Sequence, residues 1–191
     1  MADAAEKPMT LDEFLDWAER QEIPYELVDG RPVPKYPDDG TPFAMAGGTV
    51  DHHTAIGNCT ATIRARRPAG CRVGPDARVA IEGRGSRIPD VVMTCRPHDK
   101  GAKLVLDPVL IVEVLSPTTV NVDKGEKFDD YKTIESLREV WFVDSTRRWV
   151  TLARRVPEGW LLTDHIGGGS FRSDVLETEL PLDELYADAA V

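Results

Sequence analysis

The sequence predicts an α/β or α+β fold in which helices flank a mixed central β-sheet, and three observations carry that reading. The stretch PVLIVEVLS at 108–116 is almost unbroken apolar sequence, the mark of a strand covered on both faces. Helical and strand-like periodicities alternate along the chain, beginning and ending on a helix. With 191 residues, 41% hydrophobic and 29% charged, the chain is long enough for one sizeable core and is read as one domain, 1–191, with short tails.

Taken in order, Thr10 followed by Glu13 forms a capping box, and Leu11, Phe14, Leu15 and Ala18 recur at helical spacing, so 10–21 is an amphipathic helix with its stripe toward the core. YELVDGRPVP is a hairpin around Asp29-Gly30, with Tyr25 and Leu27 on one face and Glu26 and Val28 on the other. After a loop rich in Pro, Gly and Asp, Thr49 caps a helix that ends near RRPAG. His53, Ile56, Thr60 and Ile63 fall on one side of it, which turns His53 inward and leaves His52 exposed. CRVGPDARVAI reads as a strand pair turning around Gly74 to Asp76, and RIPDVVMT opens a further strand, where a leading Pro is tolerated because it need not donate to the ladder. PVLIVEVLS is the central strand. TVNVDKGEKFDDYKTIESL is helical, EVWFVD, RRWVTLARR and GWLLTD are three more strands, and LPLDELYAD is a short docking helix. Trp141, Trp149 and Trp160 lie in those strands as core or interface residues, and the aromatic strands near the C-terminus point to a homodimer. GGGS at 167–170 sits between strands and is a turn, not a phosphate cradle.

Composition excludes several classes. No stretch approaches the roughly 18 uncharged apolar residues of a membrane span, and MADAAEKPMT lacks the apolar core of a secretory signal, so the expectation is no membrane contact and a cytoplasmic protein. Cys59, Cys71 and Cys95 are odd in number, widely spaced and without a Cys-x-x-Cys pair, which reads as three reduced thiols. A net charge of −10 opposes generic nucleic-acid binding. Residues 51–105 nevertheless carry an excess of basic side chains, and Arg64, Arg66, Arg67, Arg72, Arg78, Arg84 and Arg87 are candidates for a local basic face, with solvated surface arginines as the alternative.

The chemistry concentrates on two acids. Glu113 stands between Val112 and Val114 in the most apolar segment, where an unpaired carboxylate costs several kcal/mol unless it is neutralised, hydrogen-bonded or bound to a cation. Asp90 opens a neighbouring apolar strand. Two such carboxylates at strand ends form a ligand set for Mg²⁺, which takes one or two protein acids and fills its octahedron with water and phosphate oxygens. The alternative is a structural network in which Asp90 accepts turn hydrogen bonds and Glu113 pairs with an Arg, Arg78 or Arg87 being the candidates. Asp123, Lys127 and Tyr131 are spaced four apart on the following helix, so they stack on one face, and Lys127 can reach back toward the strand ending at Ser116.

Together YELVDG, a later His, PDVVM, LIVEVLSP, the Asp123, Lys127 and Tyr131 spacing and EVWFVD resemble the Uma family of restriction endonucleases, catalogued as a domain of unknown function within the PD-(D/E)XK nuclease superfamily. The resemblance runs from about residue 10 to about residue 185. It implies a restriction-endonuclease-like fold and a divalent-metal phosphodiesterase site acting on DNA, with Mg²⁺ as the ion and Mn²⁺ as an alternative. By that resemblance Asp90 and Glu113 are the metal ligands, Glu26 is an early acid that helps hold the metal or its water, and His53 is the family's His. Leu115 stands where the superfamily has its Lys, and the resemblance moves that role to Lys127. Asp123 and Tyr131 then support the site. The alternative function is a catalytically silent domain of the same fold that binds a protein partner or nucleic acid without cutting it.

Overall fold

A computed structural model describes residues 7–36, 49–116 and 123–191, with only the backbone of Asp123 and Lys124. Helix α1 (Leu11–Ala18) begins on the predicted capping box. Thr10 Oγ1 accepts the Glu13 N–H at 3.2 Å and the Glu13 carboxylate accepts the Thr10 N–H at 2.8 Å, so two of the orphan donors at the helix start are satisfied reciprocally. Its buried side chain is Phe14, and the Arg78 guanidinium lies 4.9 Å above that ring. The expected hairpin follows as β1 (Tyr25–Val28) and β2 (Arg31–Pro34), with Asp29 and Gly30 both at positive φ, as a two-residue type I′ turn demands. The Pro, Gly and Asp loop after it lies outside the described residues.

Helix α2 (Val50–Arg66) starts on Thr49 and ends before Arg67, as expected. Its buried face is His52, Ala55, Ile56, Cys59, Thr62 and Ile63, so His52 points inward and His53 outward, the reverse of the expectation. Both stripes satisfy a 3.6-residue period. The small apolar Ala55 and Cys59 move the centre of the apolar face one position toward the N-terminus, and Thr60 falls on the rim.

Strands β3 (Arg72–Pro75), β4 (Val79–Ile81), β5 (Gly85–Arg87), β6 (Val91–Thr94) and β7 (Pro108–Leu115) come next. The expected pairing of β3 with β4 does not form. The chain changes sheet at Asp76, which has a φ of 50°, so β3 pairs with β6 and β4 with β5. One sheet has the order β2-β1-β5-β4. Gly85 lets β5 lie against β1, because a Cβ there would run into the Leu27 carbonyl and its φ of 137° disfavours any other residue.

The second sheet adds β8 (Glu139–Asp144), β9 (Trp149–Val156) and β10 (Gly159–Ile166) in the order β10-β9-β8-β7-β6-β3. Its neighbours are antiparallel except β7 with β8, so the sheet is mixed and β7 lies inside it, as predicted. A π-wound turn, Asp123–Lys127, and helix α3 (Phe128–Lys132) lie in the crossover between β7 and β8. Arg155 closes the C-terminal end of α3 by donating to the carbonyls of Lys132, Ile134 and Leu137. A two-stranded ribbon, β11 (Ser170–Ser173) with β12 (Thr178–Pro181), leads into the helical turn α4 (Leu182–Leu185), which docks on α2 where the Asn58 amide donates to the Leu185 and Ala187 carbonyls.

At its centre the six-stranded sheet is covered on both faces. Leu110, Val112 and Val114 pack with α2, the ribbon and α4, while Ile111 and Leu115 pack with Phe128 and Tyr131 of the crossover and with Val79 and Ile81 of β4. Each of these side chains contributes about 1.5–3 kcal/mol by leaving water, which explains the continuous apolar run of β7.

One expectation about the cysteines is corrected. Arg72 pairs with Thr94 across β3 and β6, so Cys71 and Cys95 fall opposite one another at the next position and are joined by a disulfide, leaving Cys59 as the free thiol. No helix among the described residues is long and apolar enough to cross a membrane.

Candidate active site

The site is assembled by register. Val91 lies opposite Val112, so Asp90, at the bend that leads into β6, comes beside the part of β7 that carries Glu113, and its carboxylate reaches the neighbouring Val114 N–H. Glu113 itself lies on the face of β7 shared by Ile111 and Leu115, beneath the crossover. Both acids are buried, Glu113 to 1% exposure.

Each carboxylate is held by named donors. Asp90 Oδ2 accepts the Val114 N–H at 2.7 Å, which ties it to β7, and Asp90 Oδ1 lies 3.1 Å from Lys35 Nζ. Glu113 Oε1 accepts the Tyr131 hydroxyl, and its Oε2 lies 3.4 Å from Lys127 Nζ. Lys127 sits where the π-wound turn passes into α3, one turn before Tyr131, so the predicted four-residue spacing does bring both side chains to Glu113. The side chain of Asp123 lies outside the described residues.

Glu26 joins from the other sheet. Its Oε1 accepts the Ile88 N–H at 2.8 Å and lies 3.8 Å from Lys127 Nζ, while its Oε2 accepts from Arg87 at 3.0 Å. Arg87 also donates to Asp130 of α3 at 2.7 Å, and Arg84 meets the same carboxylate at 2.6 Å. Lys127 therefore bridges Glu113 and Glu26, and Arg87 bridges Glu26 and Asp130. Burial opposes the charge on Arg87, but Glu26 and then Asp130 outweigh it and raise its pKa.

Glu26, Glu113, Lys127 and Tyr131 thus form one buried cluster, and Asp90 is bound to the Val114 N–H beside it. His53 is exposed on α2, whose buried side packs on the opposite face of the sheet from Glu113, so it does not join them. The expected basic face does not gather all seven arginines either, because Arg87 is buried among acids, Arg78 lies over Phe14, and Arg66 at the end of α2 pairs with Glu184. Neither Arg candidate for a structural partner of Glu113 faces it, since Arg78 bonds Ser86 and Arg87 bonds Glu26 and Asp130.

Sequence reasoning missed Lys35, Asp76 and Asp130. Lys35 follows β2 with its side chain buried, between Asp90 and the carboxylate of Asp76, which it also contacts. Burial lowers the Lys35 pKa, but Asp90, with Tyr36 and Asp76 behind it, reverses that effect and raises the value above the usual ammonium range. A single Lys in RPVPKYP carries no periodic signal, so only the tertiary meeting of hairpin and strand reveals it.

The donor chemistry suits a hard divalent cation. Oxygen ligands predominate, and two carboxylates are the number Mg²⁺ commonly takes from a protein. Among the described residues no three His, Cys, Asp or Glu side chains come together to hold a metal, so the cation would rest on the Asp90 and Glu113 pair and would have to displace the ammonium groups now facing it.

The crystal structure of a "putative nuclease belonging to DUF820" from Anabaena variabilis superposes with a TM-score of 0.69 over 94% of this chain and 98% of that one, at 19% identity, which shows a shared restriction-endonuclease-like fold. Two uncharacterized Synechocystis proteins are similar along almost their whole length. The first, slr1290, is 29% identical over 185 residues, 94% of this chain and 92% of its own, and the second, sll1609, is 28% identical over 180 residues, 87% and 93% respectively. Residues 34–185 match the Uma2 family model, described as "Putative restriction endonuclease", and the chain belongs to that family.

Proposed function

We propose that the chain is a Mg²⁺-dependent endonuclease that hydrolyses phosphodiester bonds in DNA, with Mn²⁺ as an alternative ion. The observation that carries this reading is two buried carboxylates brought to β7, Glu113 on the strand and Asp90 on the Val114 N–H, with the Lys127 ammonium beside Glu113. A divalent cation held there supplies Lewis acidity, acidifying water and neutralising charge on a phosphoryl oxygen.

The remaining work belongs to the protein. Asp90 is fixed by the Val114 N–H and Glu113 by the Tyr131 hydroxyl, so both ligands are oriented before any ion arrives. Lys127, held between Glu113 and Glu26, orients the attacking water or neutralises the anion that develops on phosphate. Glu26 keeps Lys127 in place and is itself fixed by Arg87 and the Ile88 N–H. A second copy of the chain is the protein partner in this reading, supported by the exposed Leu161, Leu162 and Ile166 on the edge strand β10.

The test is calorimetric titration of Mg²⁺ and Mn²⁺ into the wild type and Glu113→Gln, with a parallel plasmid-nicking assay. Saturable binding that the substitution removes, together with metal-dependent nicking, is the expected result. A second reading has its own support, because every acid of the site already has a cation: Arg87 for Glu26, Lys35 for Asp90 and Lys127 for Glu113. That arrangement, with the net charge of −10, favours a catalytically silent domain of the same fold, and absence of ion binding in both the wild type and a variant lacking the Lys35 ammonium would support it.

A further inference from the structure

Lys35 has a place in the site that a simple structural ion pair does not explain. Its backbone is pinned, with its N–H donating to the Pro24 carbonyl at 2.9 Å, and its side chain is 3% exposed. Its ammonium is shared between two acids of opposite character. Asp90 is buried and lies 3.1 Å away, whereas Asp76, also in contact, is 56% exposed and sits at the outer rim of the site. The turn that carries Asp76 is anchored to Asp90, because the Asp76 N–H donates to the Asp90 carbonyl at 3.2 Å. The Tyr36 ring, 5.1 Å from the ammonium, completes the surroundings.

A cation so placed competes with any other cation for the Asp90 carboxylate. Like charges repel strongly in a buried site, so an ion arriving at Asp90 must drive the ammonium away. Asp76 supplies the place for it to go. A short movement of Nζ toward Asp76 keeps the lysine charged and partnered while releasing Asp90, and the same movement in reverse refills the acid when the ion leaves.

We propose that Lys35 is a resident counter-ion of Asp90 that sets the metal affinity of the site by shifting between Asp90 and Asp76. Lys35 is a positioning residue in this scheme, acting through Asp90. The inference rests on reading Asp90 and Glu113 as the metal ligands. It also separates this lysine from Lys127, which lies on the other acid and has Glu26, a buried group, as its second partner.

The experiment is Mn²⁺ binding, followed by water-proton relaxation and calorimetry, on the wild type, Lys35→Met, Asp76→Asn and the double variant, with thermal melts to verify folding. Lys35→Met should bind Mn²⁺ about tenfold or more tightly, because the competitor is gone. Asp76→Asn, whose residue tolerates the positive φ of that turn, should bind about threefold or more weakly, because the ammonium loses its alternative partner. In the double variant the Asp76 change should have no further effect. A purely structural lysine predicts the opposite sign, since losing it would disorder Asp90 and weaken binding. Lys35→Met binding Mn²⁺ as the wild type does, or more weakly, overturns the inference, and so does an Asp76→Asn variant with unchanged affinity. Wild-type binding that Glu113→Gln removes keeps the metal-site reading whatever Lys35→Met does. Binding in neither the wild type nor Lys35→Met rejects both, and binding that appears only in Lys35→Met is the inference in its strongest form.

Discussion

Glu113 on β7 and Glu139 on β8 are both glutamates in apolar strands, both are essentially sealed from solvent, and their strands are parallel neighbours. Their surroundings differ in kind. Glu139 accepts from the Trp141 indole at 3.1 Å, the Ser173 hydroxyl at 2.7 Å and the Asp174 N–H at 2.6 Å, with the Val175 N–H at 3.4 Å, and Arg154 stands further out at 3.7 Å. Those donors are mostly neutral and fixed by strand and ribbon, so the carboxylate acts as a rivet between β8 and the β11–β12 ribbon. Glu113 has an ammonium shared with Glu26 and a phenol, and a second acid, Asp90, is bound to the next residue of its strand. The first arrangement has no room for another cation. In the proposed reading the second exchanges one positive charge for another, and that difference in partners, more than burial, distinguishes a structural carboxylate from a candidate ligand.

The largest expected effect breaks the comparison through activity. Glu113→Gln and Lys127→Ala, each measured per folded molecule, should lower metal-dependent nicking about a hundredfold or more, the scale on which losing a charge-stabilising group acts. Glu139→Gln, measured per folded molecule, should nick at the wild-type rate. Equal losses at the two glutamates would mean that the distinction drawn from their partners is false.

The converse appears in stability. Glu139→Ala leaves a buried indole N–H, a hydroxyl and a backbone N–H without their acceptor and should cost about 3–5 kcal/mol in urea unfolding. A loss under about 1 kcal/mol would show that water or Arg154 takes over the rivet. Ligand linkage then sharpens the contrast: Mn²⁺ at about a hundred times its dissociation constant should stabilise the wild type by about 2.7 kcal/mol and Glu113→Gln not at all. A Glu139 variant that still folds should keep the whole increment, which a thermal-shift series with and without the ion would measure.

Much of this difference was beyond the reach of the sequence, for identifiable reasons. Strand and helix periods made β7, the β1–β2 hairpin, the α1 cap and the Lys127 and Tyr131 spacing legible, because each is a local pattern confirmed by its own geometry. The two acids stood out because charge in an apolar run is costly. Glu139 did not, since the donors that define its role come from the β11–β12 ribbon, distant in sequence. The choice between His52 and His53 turned on one position of helix phase, which small residues such as Ala55 and Cys59 decide only when the packed face is visible. The disulfide, Lys35 and Arg87 depend on which strands lie side by side. That is set by the change of sheet at Asp76, where Gly74 to Asp76 looked like an ordinary hairpin turn.

The smallest effect uses a thiol as a reporter of the site from behind the sheet. Cys59 on α2 is fully buried, and burial, with the Asp90 charge adding to it, pushes its pKa from 9.0 up to about 12. An acid whose folded pKa is raised keeps its proton in the native state after the unfolded chain has lost it. The native state then binds more protons than the unfolded state between about pH 9 and pH 12, so this contribution to stability is complete below pH 9 and is lost as pH rises through that window. Cys59→Ala should flatten the alkaline fall in the urea midpoint relative to wild type, and a disulfide-exchange reagent at neutral pH should find no reactive thiol until the protein unfolds. Asp90→Asn should bring the thiol's titration downward, because a neutral amide no longer repels the thiolate, whereas Glu139→Gln, on a residue that adds nothing to that shift, should leave it in place. A Cys59 titration that ignores Asp90 but follows Glu139 would place the charge felt across the sheet at the rivet and not at the site.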